Sequence, residues 1–201
     1  MSRRASSGRT RSAAPQRVRI IGGAWRRTPI PVADSPGLRP TPDRVRETLF
    51  NWLAHLRADI SALRGLDLFA GSGALGFELA SRGAAHVLFV ERQPQLLKPL
   101  RALCEKIGAT NAEIMAGDAL AVAAGLPRGA FDIVFLDPPF GGGLLWPAID
   151  AVRPLLAKEG LIYAETDRPI APAEAMAHDL ELLRAARAGR VCFHLLRLRV
   201  A

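Results

Sequence analysis

A glycine-rich loop in the first half of the chain is the strongest indication of a binding site. The stretch DLFAGSGALG, residues 67 to 76, contains G-x-G-x-x-G at Gly71, Gly73 and Gly76. Such glycines let backbone approach a ligand closely, and the helix that follows points free N–H groups at it. Glu91, 20 residues past Gly71, is placed to accept hydrogen bonds from both ribose hydroxyls. The pattern predicts an adenosine-containing ligand and fits NAD as well as others.

Two acidic features favour S-adenosylmethionine over NAD. Asp67 lies four residues before Gly71, where a carboxylate suits a cationic ligand better than a pyrophosphate. S-adenosylmethionine carries an ammonium and a sulfonium, so an acid is favourable there. The motif DPPF, Asp137 to Phe140, directly follows another apolar run. Because ligands bind at the carboxyl ends of strands in open α/β sheets, we expect this motif to face the glycine loop. The alternatives are purely structural roles: Asp67 would cap a helix or pair with an arginine, and Phe140 would pack in the core.

The elements that position these loops alternate between strands and helices from residue 65 onward. Strands are predicted in GLDLFA, HVLFVE, AEIMAGD, AFDIVFLDPPF, LIYAETD and the alternating RVCFHLLRLRV. Helices are predicted in GALGFELASRG, PQLLKPLRALCEKIG and the proline-interrupted LLWPAIDAVRPLLAKEG. Strands separated by helices imply a parallel sheet with right-handed crossovers, an open α/β fold.

Another helix is predicted to start at residue 41. Thr41 can cap it, Pro42 suits the first helical position and Asp43 favours the positive end of the dipole. Its buried face is predicted, from helical spacing, to be Val45, Leu49, Trp52, Leu53 and Leu56. Pro99 is a misfit inside a later helix, and we expect a kink or a late helix start there.

The net charge of +8 resides in the first 27 residues, which contain eight arginines and no acid. Residues 1–16 are predicted to be a disordered basic arm that favours polyanions, and residues 17–40 a basic RNA-binding hairpin in which Trp25 stacks on a base or packs. Residues 41–201 form the remaining domain. A solvated tail without function and an organellar transit peptide are the alternatives for the arm. The candidate phosphate contacts are Arg19, Arg26, Arg27, Arg39 and Arg46.

The spacing of the cysteines and the length of the apolar runs argue against several kinds of site. Cys104 and Cys192 lack partners at metal-ligand spacing, so neither a disulfide framework nor a metal site is expected. No apolar run approaches the roughly 20 residues of a membrane span. We therefore expect a cytoplasmic protein without membrane contact. The four histidines are expected to be structural or surface residues, and Arg197 and Arg199 the solvated face of the last strand.

Together these motifs resemble a known family. RIIGGAWRRTPIPV, LRPTPDRVRETLFNWL, LDLFAGSGALGFE, VLFVE, Gly117-Asp118 and DIVFLDPPF occur in the order and spacing of the bacterial guanine-N2 methyltransferases of 16S ribosomal RNA, the small single-domain D type. The resemblance covers residues 17 to 167. It implies a Rossmann-like class I methyltransferase fold with a mostly parallel seven-stranded sheet, an antiparallel last strand and a small N-terminal basic hairpin. It also implies S-adenosylmethionine as cofactor, the small ribosomal subunit as partner, and a monomer.

The resemblance also implies the roles of individual residues. The loop from Asp67 to Gly73 would hold the methionine part of the cofactor, Glu91 the ribose, and Asp118 with Ala119 the adenine. The implied cofactor contacts are Asp67, Phe69, Ala70, Gly71, Ser72, Gly73, Glu91, Arg92, Asp118 and Ala119, with Thr41 and Arg44 as further candidates. The implied catalytic loop is Asp137, Pro138, Pro139 and Phe140.

The DPPF residues suit chemistry on an amino group. The guanine N2 lone pair is delocalised into the ring, and two acceptors for its hydrogens, the Asp137 carboxylate and the Pro138 carbonyl, would let the nitrogen pyramidalise. Phe140 would stack on a base turned out of its RNA context. Loops of this type also serve other acceptors. The alternatives are methylation of adenine-N6 or of glutamine-N5 in a protein, and a non-catalytic RNA-binding assembly factor.

Overall fold

The computed structural model describes residues 18–32, 41–57 and 59–199. The predicted basic arm at residues 1–16 and the candidate contact Arg39 lie outside the described residues.

The described part of the chain alternates strands and helices as the sequence predicts. Its elements are β1 (Val18–Arg19), β2 (Pro29–Ile30), α1 (Asp43–Leu56), β3 (Arg64–Asp67), α2 (Ala74–Ser81), β4 (His86–Glu91), α3 (Pro94–Ile107), β5 (Ala112–Ala116), α4 (Ala119–Gly125), β6 (Phe131–Leu136), α5 (Leu145–Val152), a 3-10 turn (Arg153–Leu155), β7 (Leu156–Thr166), α6 (Pro172–Ala177), β8 (Leu180–Ala188) and β9 (Val191–Leu198).

A seven-stranded sheet with the order β5-β4-β3-β6-β7-β9-β8 forms the centre of the fold. The strands β3 to β7 pair in parallel, whereas β9 is antiparallel to both of its neighbours. This confirms the expected α/β class and the antiparallel last strand. β1 and β2 pair separately as a two-stranded antiparallel hairpin.

Successive side chains of each strand point to opposite faces of the sheet, and they form two separate cores, one on each face. In β6, Ile133 and Phe135 pack on the face covered by the hairpin, α1, α2 and α3. Val134 and Leu136 pack on the opposite face, against α4, α5 and α6. Burial on both faces explains the nearly continuous apolar runs of the parallel strands.

The start of α1 differs from the expectation. Pro42 occupies the N-cap and makes no side-chain cap bond, and the helix begins at Asp43. Thr41 is not the cap, because its hydroxyl donates to Glu165 Oε1 at 2.8 Å. At the other end of the helix Leu56 is 38% exposed, so the predicted apolar face ends at Leu53.

Three further features of the secondary structure differ from the prediction. The helix α3 runs continuously from Pro94 through Pro99, so the expectation of a late start is wrong. The strand β7 begins at Leu156, inside the stretch predicted to be helical. β8 was not predicted from the pattern, because most of its residues are at least partly exposed and an edge strand lacks a clear apolar alternation.

A buried ionic network attaches the hairpin to α2. The Glu78 carboxylate accepts the backbone N–H of Ile21 at 2.7 Å and that of Gly22 at 2.9 Å. Arg46 approaches the same carboxylate at 3.5 Å, and Arg82 at 2.7 Å. Arg46 is completely buried. Its predicted phosphate contact is therefore wrong: besides Glu78, this guanidinium donates to Asp43 Oδ1 at 2.6 Å and to the Arg19 carbonyl at 2.8 Å.

Candidate active site

A cavity of about 480 Å³ opens at the carboxyl edge of the parallel strands. The ends of β3, β4, β6 and β7 contribute Asp67, Glu91, Asp137 and Glu165 to its walls. Its volume falls in the range of sites for small organic ligands. Its lining includes the predicted residues Thr41, Asp67, Phe69, Ala70, Gly71, Ser72, Glu91, Arg92, Asp118, Ala119, Asp137, Pro138, Pro139 and Phe140.

The glycine loop turns sharply into α2. Gly71 and Gly73 have φ values of 54° and 77°, a region that L side chains rarely adopt. A Cβ on Gly73 would also lie 2.6 Å from Leu100 Cδ2. Gly73 does not line the cavity but shapes the turn, as the N-cap of α2. The loop therefore exposes backbone at the site.

Asp67 both supports the start of α2 and lines the cavity, so two interpretations that the sequence left open apply together. Its Oδ2 accepts the backbone N–H of Gly76 at 3.0 Å, so it does support the first turn of α2. It also lines the cavity, where a ligand can reach it. Burial raises the pKa of Asp67 to about 7, against the bond from Gly76, and the negative charges of Glu91 and Glu165 contribute. A cationic ligand group would stabilise its ionised form.

Glu91 is oriented by the backbone around it. Its Oε2 accepts the N–H of Gly71 at 2.8 Å, and its Oε1 accepts those of Arg92 and Gln93 at 2.9 and 2.8 Å. Three backbone donors hold the carboxylate in one position at the end of β4 and tie it to the glycine loop. These bonds occupy about three of the four acceptor sites of the carboxylate, so the remaining site on Oε2 is available to a ribose hydroxyl.

Asp118 caps the next helix along this edge. Its Oδ1 accepts the N–H of Leu120 at 3.1 Å and that of Ala121 at 3.3 Å, at the start of α4. Arg92 lies 3.9 Å from its Oδ2, and both side chains are more than half exposed. Asp118 and Ala119 thus line the cavity beside Glu91.

The DPPF loop closes the other side of the cavity. Within the described parts of the chain, the Asp137 carboxylate has neither a hydrogen-bond partner nor an ion-pair partner. Its pKa is raised well above the usual range by burial, and further by the charges of Glu165 and Asp67. Phe140 is 41% exposed, which contradicts the alternative that it packs in the core. An acceptor and an aromatic face are therefore both available at this loop.

Glu165 was missed by the sequence reasoning. Its side chain is buried at the end of β7 and lines the cavity. Its Oε1 accepts from the Thr41 hydroxyl and the Tyr163 hydroxyl, each at 2.8 Å. Burial raises the pKa of Glu165, whereas these two hydrogen bonds lower it. The available signal was its place near the end of LIYAETD, by the same rule that identified Glu91.

Two predicted groups of residues are not brought to the cavity. Arg44 is exposed and lies outside the cavity lining. Arg19, Arg26 and Arg27 are exposed on the hairpin, and Arg19 lies 3.5 Å from Asp43. Trp25 packs against the core on that side of the sheet, which favours the packing alternative for its ring.

The histidines have structural surroundings. His194 Nε2 accepts the N–H of Ile170 at 3.0 Å, burial lowers its pKa, and His178 stacks on Trp146 with ring centroids 3.9 Å apart. In residues 18–32, 41–57 and 59–199, no group of three potential ligands could hold a metal ion. No helix within these ranges combines the length and apolarity that a membrane span requires.

Comparisons with known proteins find relatives that match most of this chain. The family described as conserved hypothetical protein 95 matches residues 18–197. Ribosomal RNA small subunit methyltransferase D of Escherichia coli (strain K12) is 44% identical over 186 residues, 89% of this chain and 88% of that protein. The protein of the same name from Haemophilus influenzae is 42% identical over 189 residues, 89% of this chain and 92% of that protein. The solved structure of Escherichia coli yhhF has a TM-score of 0.76 at 41% identity and covers 92% of this chain and 99% of that chain.

Proposed function

We propose that this chain methylates the exocyclic N2 of a guanine in 16S RNA. The chain belongs to the conserved hypothetical protein 95 family. It is an S-adenosylmethionine-dependent rRNA methyltransferase. The family resemblance that the motifs indicated is confirmed by these relatives. The observation that carries the proposal is the Asp137 carboxylate without a partner among the described residues, beside the exposed ring of Phe140, in a cavity that also contains Glu91.

The cavity fits the cofactor by the chemistry of its walls. When bound, S-adenosylmethionine supplies an electrophilic methyl group on a sulfonium centre. The oriented Glu91 carboxylate would bind the ribose, and Asp118 with Ala119 would contact the adenine beside it. Asp67 would face the amino acid portion, where the ammonium would offset its negative charge. The cavity-lining backbone of Gly71 and Ser72 would lie against the same portion.

The DPPF loop holds the acceptor base. Asp137 and the Pro138 carbonyl accept the two hydrogens of the guanine amino group, so the nitrogen lone pair turns towards the methyl group. Attack of this nitrogen on the methyl group would form the N–C bond and break the C–S bond, with the neutral thioether as the leaving group, and Asp137 would take up the proton that the nitrogen then loses. Phe140 stacks on the extruded base. The rate gain comes mainly from alignment and from acceptors already in place.

The RNA partner approaches the basic side of the molecule. Arg19, Arg26 and Arg27 are the exposed candidates for phosphate contacts on the hairpin. We further propose that the chain acts as a monomer in the cytoplasm and that its target lies in the small ribosomal subunit. The boundaries at residues 16/17 and 40/41 stay predictions, although the hairpin residues Val18, Ile20 and Ile30 share a core with α1 and α2.

A labelled methyl-transfer assay tests this function. Naked 16S RNA, assembled small subunits lacking the modification and duplex DNA are offered to the protein, and the products are digested to nucleosides. The expected product is N2-methylguanosine from one or both RNA substrates and none from DNA. N6-methyladenine as the product would contradict the choice of base. RNA binding without heat on titration with S-adenosylmethionine would favour the assembly factor.

A further inference from the structure

We propose that the turn between β8 and β9 is a second RNA-contacting surface, on which Arg187 and Arg190 bind the phosphates that flank the nucleotide held in the cavity. This inference rests on the proposed function and extends it. The motifs quoted from the sequence end before this turn, and the exposed candidates for phosphate contacts, Arg19, Arg26 and Arg27, belong to the N-terminal hairpin. The argument rests on where the turn lies, what surrounds it and how its arginines are paired.

The register of the strands places the turn at the cavity. Val191 begins β9 and lines the cavity. Its neighbour Cys192 pairs with Thr166 at the carboxyl end of β7 and with Arg187 at the end of β8. The turn therefore lies at the same edge of the sheet as Glu165, which is the next-to-last residue of β7. Arg187 is paired with Cys192 and Arg190 directly precedes Val191, so both residues belong to this edge of the sheet.

The acidic residues of the cavity lining disfavour the approach of phosphates unless cations lie nearby. This lining contains the carboxylates Asp67, Glu91, Asp118, Asp137 and Glu165. Among the described residues of this lining, Arg92 is the single cation, and it lies 3.9 Å from Asp118. An RNA strand that places one base in this cavity brings its phosphates towards a lining in which acidic residues outnumber basic ones among the described residues. Exposed cations near the mouth offset that repulsion.

Arg187 and Arg190 have no acidic partner among the described residues. Both are exposed, and neither forms an ion pair within the part of the chain that the structure describes. Arg187 Nε donates to the carbonyl of Gly189 at 2.9 Å, which restricts its side chain but leaves its charge uncompensated. Arg168, by contrast, is held by Glu174 at 2.6 Å. An unpaired, exposed guanidinium binds phosphate without first breaking an ion pair.

The same two strands supply a matched control. Arg199 follows β9 at the opposite edge of the sheet and is also exposed, with no ion pair among the described residues. Arg199 is nine positions from Arg190 along extended chain, a distance of about 30 Å at roughly 3.3 Å per residue. Arg199→Gln therefore removes the same charge far from the cavity.

The experiment measures binding of transcribed 16S RNA over a series of salt concentrations, without methyl transfer. Arg187→Gln and Arg190→Gln are each compared with Arg199→Gln, and the urea midpoint and the affinity for S-adenosylmethionine are measured for all three. We expect each of the first two to weaken RNA binding and to reduce the slope of log K against log salt by about 0.7 to 0.9, the share of one phosphate contact. Arg199→Gln, the urea midpoint and cofactor affinity should stay as in the wild type.

Unchanged slopes for both turn variants, or an equal loss for Arg199→Gln, would overturn the proposal, as would wild-type protein that does not bind this RNA. The outcome is separable from that of the proposed function. If the wild type forms no N2-methylguanosine but the turn variants still lose RNA affinity selectively, the methylation target is wrong and the RNA surface stands.

Discussion

The carboxylate of Asp67, at the end of β3, accepts the backbone N–H of Gly76 in α2 at 3.0 Å while it also lines the cavity. Burial raises its pKa from 3.8 to about 7. The folded protein therefore binds this proton more tightly than the unfolded chain does. The contribution of Asp67 to stability is fully present below pH 4 and declines as the pH rises to about 7.

Asp67→Asn is expected to stabilise the protein without cofactor and to weaken cofactor binding. At pH 8 the wild type contains a buried charge that the amide lacks, and the pKa difference corresponds to an upper bound of roughly 4 kcal/mol in the free energy of unfolding. Affinity for S-adenosylmethionine should fall roughly 10- to 100-fold, the loss of one charge-assisted contact. Urea unfolding at pH 5 and pH 8 and calorimetric titration measure the two effects. A variant that is less stable at pH 8 and equally stable at pH 5 would contradict this account.

Asp137→Asn should remove methyl transfer and leave cofactor binding nearly unchanged. The amide cannot accept the proton and offers a donor where the base needs an acceptor, so kcat should fall roughly 100- to 1000-fold. Single-turnover transfer and calorimetry are the measurements. Asp132→Asn is the matched control from the preceding strand β6, because Asp132 contacts Arg64 at 3.2 Å and does not line the cavity. Full activity of Asp137→Asn would remove this carboxylate from the catalytic assignment.

Glu165→Gln should shift the pH dependence of methyl transfer to lower pH. Asp137 must be ionised to accept from the base, so the rate rises with pH through its pKa. Burial is the largest cause of the raised pKa of Asp137, and the charge of Glu165 is the next. Removing that charge lowers the pKa of Asp137, and the ascending limb moves towards acid. Rate profiles from about pH 5 to 9 report the combined titration of the two carboxylates. A limb that stays in place or moves towards alkali would show that Glu165 does not act on Asp137.

Phe140→Ala should impair the use of RNA more than the binding of cofactor. Stacking of a base on an aromatic ring contributes about 1 to 3 kcal/mol, so kcat/KM for RNA should fall roughly 5- to 150-fold. Phe140→Tyr keeps the ring and should retain most activity. Equal activity of the alanine and tyrosine variants would contradict stacking by this residue.

Arg46→Met tests the network beneath the hairpin. The methionine leaves Glu78 buried with one fewer cation, and we expect a loss of about 3 kcal/mol in the free energy of unfolding. Arg64→Met breaks the surface pair with Asp132, in which Arg64 is 45% exposed, and should cost less than about 1 kcal/mol. Urea unfolding compares the two variants. Losses of equal size would indicate that Arg46 does not compensate Glu78.

Much of the site could be predicted because its residues occur at strand ends. Asp67, Glu91 and Asp137 each end or follow an apolar run, and in a parallel sheet such positions meet at one edge. Glu165 obeys the same rule and was overlooked because no motif marks it. Arg46 was misassigned because a basic residue near a basic segment resembles a surface cation, and its burial depends on α2.

The sequence by itself determined the α/β order of elements, the glycine turn and the acidic strand ends, because periodicity and backbone preferences are local properties. Only the tertiary structure decided which distant groups meet. Thr41 reaches Glu165 across 124 positions in the chain, and Arg46 lies against Glu78, 32 positions away. Both contacts result from the packing of helices on one face of the sheet, which sets the burial and the charge compensation that no local pattern encodes.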